Sequence, residues 1–468
     1  MIAKKISLIA LALISAIVLK AEDTRPDSVA SSTVNTDVLP AAQLQLPTQN
    51  GWWIGFDDAL LDSLIQMGEK NNYNLKQAMR RIEISRQAVR QARGGYYPNF
   101  STSFGYTRAR TSGYTTSART NAMNTGYFQF GVDMSWEIDV FGRVREKVRE
   151  ADANVKVSRA EYEALWISVA AEIATNYMNL RTLQTELEVT RQHIEQEEKV
   201  LKITEARHEA GLASMLDVAQ AKTVYYSTVS AVSSLETQIA TTINAIAVLV
   251  GEYPDNVKKM LIASGPQPNG NWIVSTSIPM EWVRHRPDVM EIEYEIESYM
   301  AALGVAKKEY LPTLSLTASA GTSAWNITDM FKKESYTYSI APVIEWTIFD
   351  GFTRSAQLAT AREQLYEAVD NYNQTLLTAV QEVDNATYTY VRALKYEKEI
   401  EETLKYAVQA YDLALDRYKQ GLDAFINVAD AQMTVLEYAN ELIEARGNVL
   451  LSIVDIAKAV GGFGNMDE

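Results

Sequence analysis

The chain has 468 residues, 47% hydrophobic and 22% charged, with a formal net charge of −15. That acidity argues against a nucleic-acid binder, which needs a basic stripe, and leaves solubility or a cation-attracting lumen as its uses. There is no cysteine, which excludes disulfides, thiolate metal sites, a cysteine nucleophile and an acylated lipoprotein cysteine.

Residues 1–21 read as a signal peptide: Lys4 and Lys5 precede a charge-free, largely apolar run over 6–19, and Ala21 stands before Glu22 and Asp23. The run is short for a transmembrane helix, and no other stretch approaches 18 apolar residues, so any membrane span must be made of strands. Residues 22–50, rich in Ser, Thr, Pro, Asp and Gln, read as an extended leader. Over 56–93 apolar residues recur at helical spacing (Leu60, Leu61, Leu64, Ile65, Ala78, Ile82, Val89) until Gly94, Gly95 and Pro98 stop the helix.

A β-hairpin is predicted at about 99–137. Phe100, Thr102, Phe104 and Tyr106 alternate with small residues (Ser101, Ser103, Gly105, Thr107), and Phe128, Phe130, Val132, Met134 and Trp136 alternate with Gln129, Gly131, Asp133, Ser135 and Glu137. A long unbroken helix follows over 143–210, roughly 100 Å at 1.5 Å per residue, then a tip and a helix over 212–250. Residues 252–276, with Pro254, Gly265, Pro266, Pro268 and Gly270, read as an irregular connection. The order then repeats over 277–463: a helix, a hairpin at about 313–346 (Leu314, Leu316, Ala318, Ala320; Tyr336, Tyr338, Ile340, Ile344, Trp346), a long helix over 353–420, a tip, and a helix over 422–460, with 464–468 as a tail. Seven-residue spacing (Leu180, Leu187, Ile194, Leu201) and alternating four-three spacing (Leu404, Val408, Tyr411, Leu415, Tyr418) predict coiled-coil packing.

The two halves, 51–251 and 277–463, are copies. Trp136 matches Trp346, Gly211 matches Gly421 and Gly251 matches Gly461 at an offset of 210, whereas Tyr97-Pro98 matches Leu311-Pro312 at 214. The first copy therefore carries four extra residues between its strands, where a hairpin loop would sit. Two copies favour pseudo-symmetry over a solenoid. Strands of about ten residues with aromatic ends suit a tilted transmembrane strand and its girdle. Four strands cannot close a barrel, and open edges in lipid are costly, so copies must share one pore: two give eight strands, three give twelve.

Several motifs now converge. Gly51-Trp52-Trp53 with Phe56-Asp57-Asp58, the run Asn71-Asn72-Tyr73-Asn74-Leu75, Arg286-Pro287-Asp288-Val289 before Leu303-Gly304-Val305-Ala306, and the junctions Trp136–Arg143 and Trp346–Gly351 occur in order. Over about 50–463 the chain resembles TolC-type outer-membrane efflux factors, in the branch that serves resistance-nodulation-division pumps. The resemblance implies an α+β membrane protein: a homotrimer with a 12-stranded transmembrane β-barrel, four strands per chain, continuous with a 12-helix periplasmic α-barrel of coiled-coil helices. It implies a passive, gated exit duct in the outer membrane, working with a periplasmic adaptor protein and an inner-membrane pump. Many members of that branch carry an acylated N-terminal cysteine; this chain has none. Alternatives are the outer channel of a type I protein-secretion system and, in a different class, a secreted coiled-coil scaffold without transport.

Gly211 and Gly421 are the C-terminal glycines of the long helices, and Ser214 with Asp217 forms a capping box for the next helix. In the second copy Asp423 is the expected cap, because Ala424 cannot serve. The resemblance makes these tips (Gly211, Leu212, Ala213, Ser214, Gly421, Leu422, Asp423) the adaptor-docking surface. It also places a gate at Ile426, Asn427 and Asp430, with Asp217 grouped with them; Ile426 and Asp430 are one turn apart, so symmetry copies of Asp430 would form an acidic ring. No cofactor, metal or catalytic residue is expected: His193, His208 and His285 lack ligand spacing, and there is no phosphate loop or Gly-x-Ser-x-Gly. Glu197 and Glu198 read as solvated helix-face carboxylates, and Arg286-Pro287-Asp288 as a helix start.

Overall fold

The structure is a computed structural model that describes residues 51–112, 123–263, 265–268 and 280–462. The expected signal peptide, leader and tail, and the connection from 269 onward, lie outside the described residues. Among the described residues, no helix is long and apolar enough to cross a membrane.

The first predicted helix is two. A 3-10 turn, Trp52–Phe56, leads to α1 (Ala59–Asn71), capped by Asp58 through the N–H groups of Leu60 and Leu61. Asn72 then breaks the helix with an extended ψ and restarts it as α2 (Tyr73–Gly94), accepting from the N–H groups of Asn74 and Leu75. The strands are β1 (Asn99–Thr111) and β2 (Met123–Ile138), and the long helix α3 runs Arg143–Glu209. After the first tip comes α4 (Met215–Leu249), which starts three residues later than 212 because residues 211–214 form the reversal and its cap. The connection is not wholly irregular. Pro254, whose fixed φ suits a first turn, opens α5 (Pro254–Leu261), which buries Val257 and Leu261.

The second half follows with α6 (Met280–Arg284), α7 (Pro287–Lys308), β3 (Thr313–Ala324), β4 (Tyr336–Glu345), α8 (Thr353–Lys419) and α9 (Phe425–Ala459). Arg286 does more than precede α7. Its buried guanidinium pairs with Asp288 and Glu382, both at 2.7 Å, and donates to the Ala459 carbonyl, tying the α7 start to α8 and the end of α9.

All four strands form one antiparallel sheet in the order β1-β2-β3-β4, so β2 and β3 join the two halves and β1 and β4 are its edges. The register keeps each face continuous. Phe104, Phe130 and Thr322 pair across, as do Phe100, Met134, Ala318 and Ile340, whereas Ser101, Asp133, Ser319 and Ser339 line the other face. One face is thus apolar across the sheet and the other polar. Trp136 and Trp346 donate their indole N–H to the carbonyls of Tyr96 and Tyr310, each at 3.0 Å, a matched pair at the helical end. The four extra residues are not in the loop: the connections 112–122 and 325–335 are equally long, and β1 and β2 are the longer strands.

The main core lies around the middle of α3, where Ile173, Tyr177 and Leu180 meet Leu61, Leu64 and Ile65 of α1, Ile246 of α4 and Val454 of α9. Tyr177 donates to Asp58 at 2.6 Å, linking the α1 cap to this core.

Candidate functional site: the helix tips

Both tips are built by one rule. In the first, the N–H of Leu212 reaches the Arg207 carbonyl (2.8 Å) and that of Gly211 reaches His208 (2.9 Å); in the second, Leu422 reaches Arg417 and Gly421 reaches Tyr418, both at 2.9 Å. These are Schellman closures, which require a left-handed residue, and Gly211 and Gly421 supply it at φ 72° and 74°. The reversal turns Leu212 and Leu422 to solvent, 68% and 65% exposed, with Met215 and Leu216 beside the first.

The caps differ. Ser214 and Asp217 form the complete box: the Asp217 N–H donates to Ser214 Oγ at 3.2 Å and the Ser214 N–H to Asp217 Oδ2 at 3.0 Å. Asp217, grouped above with the gate, thus has its carboxylate in the cap. Replacing Ser214 by Ala is expected to cost about 1 kcal/mol, and faster amide exchange confined to the first turn of α4 checks it. The expected Asp423 cap is corrected: Ala424 occupies the cap position of α9 without a side-chain bond. Asp423, one residue earlier, accepts from the Asn427 amide (2.6 Å), the Ala424 N–H (2.9 Å) and Arg417 (3.2 Å). The Asn427 amide first, then the Ala424 N–H and Arg417, hold its carboxyl below the usual carboxylate range. Asn427, predicted at the gate, is therefore also part of the tip.

Behind the tips the four long helices meet in a second core, where Val200 and Leu201 of α3, Ala221 and Val224 of α4, Tyr418 of α8 and Phe425, Val428 and Ala429 of α9 pack together. With that face of α9 inward, Ile426 and Asp430 are exposed on another. Of the predicted α8 seam, Tyr411, Leu415 and Tyr418 join this core, but Val408 is exposed.

Sequence reasoning missed two groups. Arg207 reaches across from the first tip, donating to the Lys419 carbonyl at 2.9 Å with its guanidinium over the Tyr418 ring. Its signal was the arginine at the same place in the second copy, Arg417. The second miss overturns a prediction. Glu197 is not solvated: it is 3% exposed, takes one bond from Thr228 Oγ1 at 2.9 Å, and its Oε2 has no partner. Glu198 alone faces solvent, paired with Lys202. Burial pushes the Glu197 carboxyl up to about 7, and burial with Glu444 nearby does the same to Glu186. The two lie eleven residues apart, three turns, on the same buried face of α3.

Two stretches of the chain, 64–252 and 279–462, match the outer membrane efflux protein family, which covers most of the sequence. The chain belongs to this family. The solvent efflux pump outer membrane protein SrpC of Pseudomonas putida is 28% identical over 87% of this chain and 86% of its own length. The pyoverdine export outer membrane protein OpmQ of Pseudomonas aeruginosa is 26% identical over 88% of this chain and 87% of its own. The Campylobacter jejuni CmeC outer membrane channel superposes with a TM-score of 0.83 at 23% identity, covering 94% of this chain and 96% of that one. This efflux protein therefore has the fold of an outer-membrane channel subunit. It is the outer-membrane component of an efflux system, with strands in the outer membrane and helices in the periplasm.

Proposed function

We propose that three copies of this chain form a passive duct, closing one twelve-stranded barrel and, below it, one ring of twelve helices. The observation that carries this is the four-stranded sheet, apolar on one face, polar on the other and open at β1 and β4. In lipid those open edges leave backbone groups unpaired, each costing several kcal/mol, and joining β4 of one copy to β1 of the next removes them. The polar face then lines the pore. Cargo is small molecules delivered by an inner-membrane pump of the resistance-nodulation-division type, which supplies the energy. A periplasmic adaptor docks on the exposed apolar tips at Leu212 and Leu422, helped by Ala213, Ser214 and Asp423.

The gate in this reading is the exposed face of α9. Ile426 and Asp430 lie one turn apart near the tip, and symmetry brings copies of Asp430 around one axis as an acidic constriction. Reconstituted in a planar bilayer, the protein is expected to form a low-conductance, cation-selective channel. Asp430→Ala is expected to raise single-channel conductance about two-fold or more and to reduce cation preference; Asp430→Asn separates charge from size. Unaltered conductance and selectivity in both variants would remove Asp430 from the gate, and failure to form any channel would sink the duct.

A further inference from the structure

The apolar face of the sheet changes character at one end. On it lie Phe100, Phe104 and Tyr106 of β1, Phe128, Phe130 and Val132 of β2, and their partners on β3 and β4. Among the described residues, its charged members are Arg108 and Arg110, which share the face of Tyr106 by strand alternation. Both sit where the first hairpin overshoots the second: β2 pairs with β3 only as far as Phe128 with Ala324, but with β1 to Thr111. The four residues that distinguish the first copy thus create a projecting hairpin end with two arginines on its outward side.

Their depth is informative. The Trp136 level, marking the helical end of the sheet, lies about ten residues below Arg108. At about 3.3 Å per residue and a tilt near 40°, that is roughly 25 Å, the height of the lipid-facing band of an outer-membrane barrel. Arg108 and Arg110 therefore stand at the outer boundary, where a charge on the lipid face costs about 0–1 kcal/mol instead of the 2–4 kcal/mol of the midplane.

The surroundings select an anion. Both arginines are exposed, and among the described residues neither has an ion-pair partner. The residue opposite Arg108 is Gly126; a Cβ there would stand 2.7 Å from the Tyr106 hydroxyl. The phenol therefore leans over the glycine and lifts its hydroxyl to the level of Arg108. Two guanidinium forks and a hydroxyl donor on one face suit a phosphate, which arginine binds with paired hydrogen bonds.

We infer that Arg108, Arg110 and Tyr106 bind the phosphate of an outer-leaflet lipid, whose acyl chains lie along Phe104, Phe128 and Phe130. A lipid is the source because the site continues the apolar band and, among the described residues, no carboxylate shares the face. The inference rests on the reading of that face as lipid-facing, and so on the channel proposed above.

The test titrates delipidated full-length protein in detergent with diphosphoryl lipid A, the same lipid stripped of phosphate, and inorganic phosphate, followed by native mass spectrometry and thermal midpoint. Diphosphoryl lipid A is expected to bind and raise the midpoint, with the stripped lipid at least tenfold weaker. Arg108→Gln with Arg110→Gln is expected to abolish that discrimination, and Arg108→Lys with Arg110→Lys to retain part of it. Equal binding of the two lipids by wild type, an undiminished preference in the Gln variant, or an equal effect of inorganic phosphate alone overturns the site. Migration of the same samples as a heat-modifiable oligomer reports on the barrel separately: an intact oligomer without lipid discrimination defeats this inference and leaves the channel standing.

Discussion

Glu197→Gln is expected to raise the thermal midpoint of the purified protein at pH 8 and to leave it almost unchanged at pH 4.5. The native carboxyl titrates at about 7 instead of its ordinary 4.5, so the folded protein holds this proton more tightly than the unfolded chain. The stability linked to that proton is complete below about 4.5 and is lost as the pH rises through about 7. At about 1.4 kcal/mol per unit, the loss at pH 8 is on the order of 3–4 kcal/mol per subunit. The groups around Glu197 leave no easy compensation: Thr228 of α4 donates to one oxygen, the other has no partner, and Tyr411 of α8 is the titratable group that faces it. No cation is among the causes of its shift. Glutamine keeps the shape and removes the charge. Midpoints measured from pH 4.5 to 8.5 check this. Parallel curves for wild type and variant would show that Glu197 is not the titrating group.

Gly251→Ala is expected to destabilise the protein far more than the same change at either tip. Gly251 has φ 70°, and a Cβ there would lie 2.5 Å from the Asn71 carbonyl oxygen and 2.8 Å from its carbon. Both obstacles are backbone, and they are pinned, because the adjoining Asn72 side chain donates to the Leu249 carbonyl at 2.8 Å. The strained backbone and the clash together are expected to cost about 3 kcal/mol or more. At Gly211 nothing lies within 4 Å of the added carbon, and at Gly421 only the Arg207 guanidinium, at 3.8 Å. There the left-handed backbone alone is charged against alanine, about 1 kcal/mol. Denaturation midpoints of the three variants give the ranking directly, and equal effects would refute the close approach at Asn71.

Local pattern carried much of this architecture in the sequence. Period-two alternation in Phe100–Tyr106 and Phe128–Trp136 marked the strands because the sheet divides an apolar face from a polar one. Ser214 and Asp217 were legible because a capping box is contained within four residues. What could not be read depends on contacts between distant segments. Glu197 looks like any helix-surface carboxylate until α4 and α8 are brought against α3. Arg207 finds its carbonyl 212 positions away. The place of the extra residues in the strands depends on pairing register, which composition does not encode. Asp423 was misassigned because α9 starts at Phe425, which moves the cap to Ala424.

The pairing of β2 with β3 bears on how a ring comes together. Had the two hairpins remained separate polypeptides, a twelve-stranded closure would require six bodies to meet, each encounter governed by dilution. Stitching β2 to β3 within one chain makes half of the hairpin-to-hairpin joins unimolecular. Closure then needs only three partners, so its dependence on protein concentration falls from sixth to third order. The outer edges of β1 and β4 come from different halves of the duplication, so every remaining join is head to tail, and successive copies add in one rotational sense until the last edge meets the first.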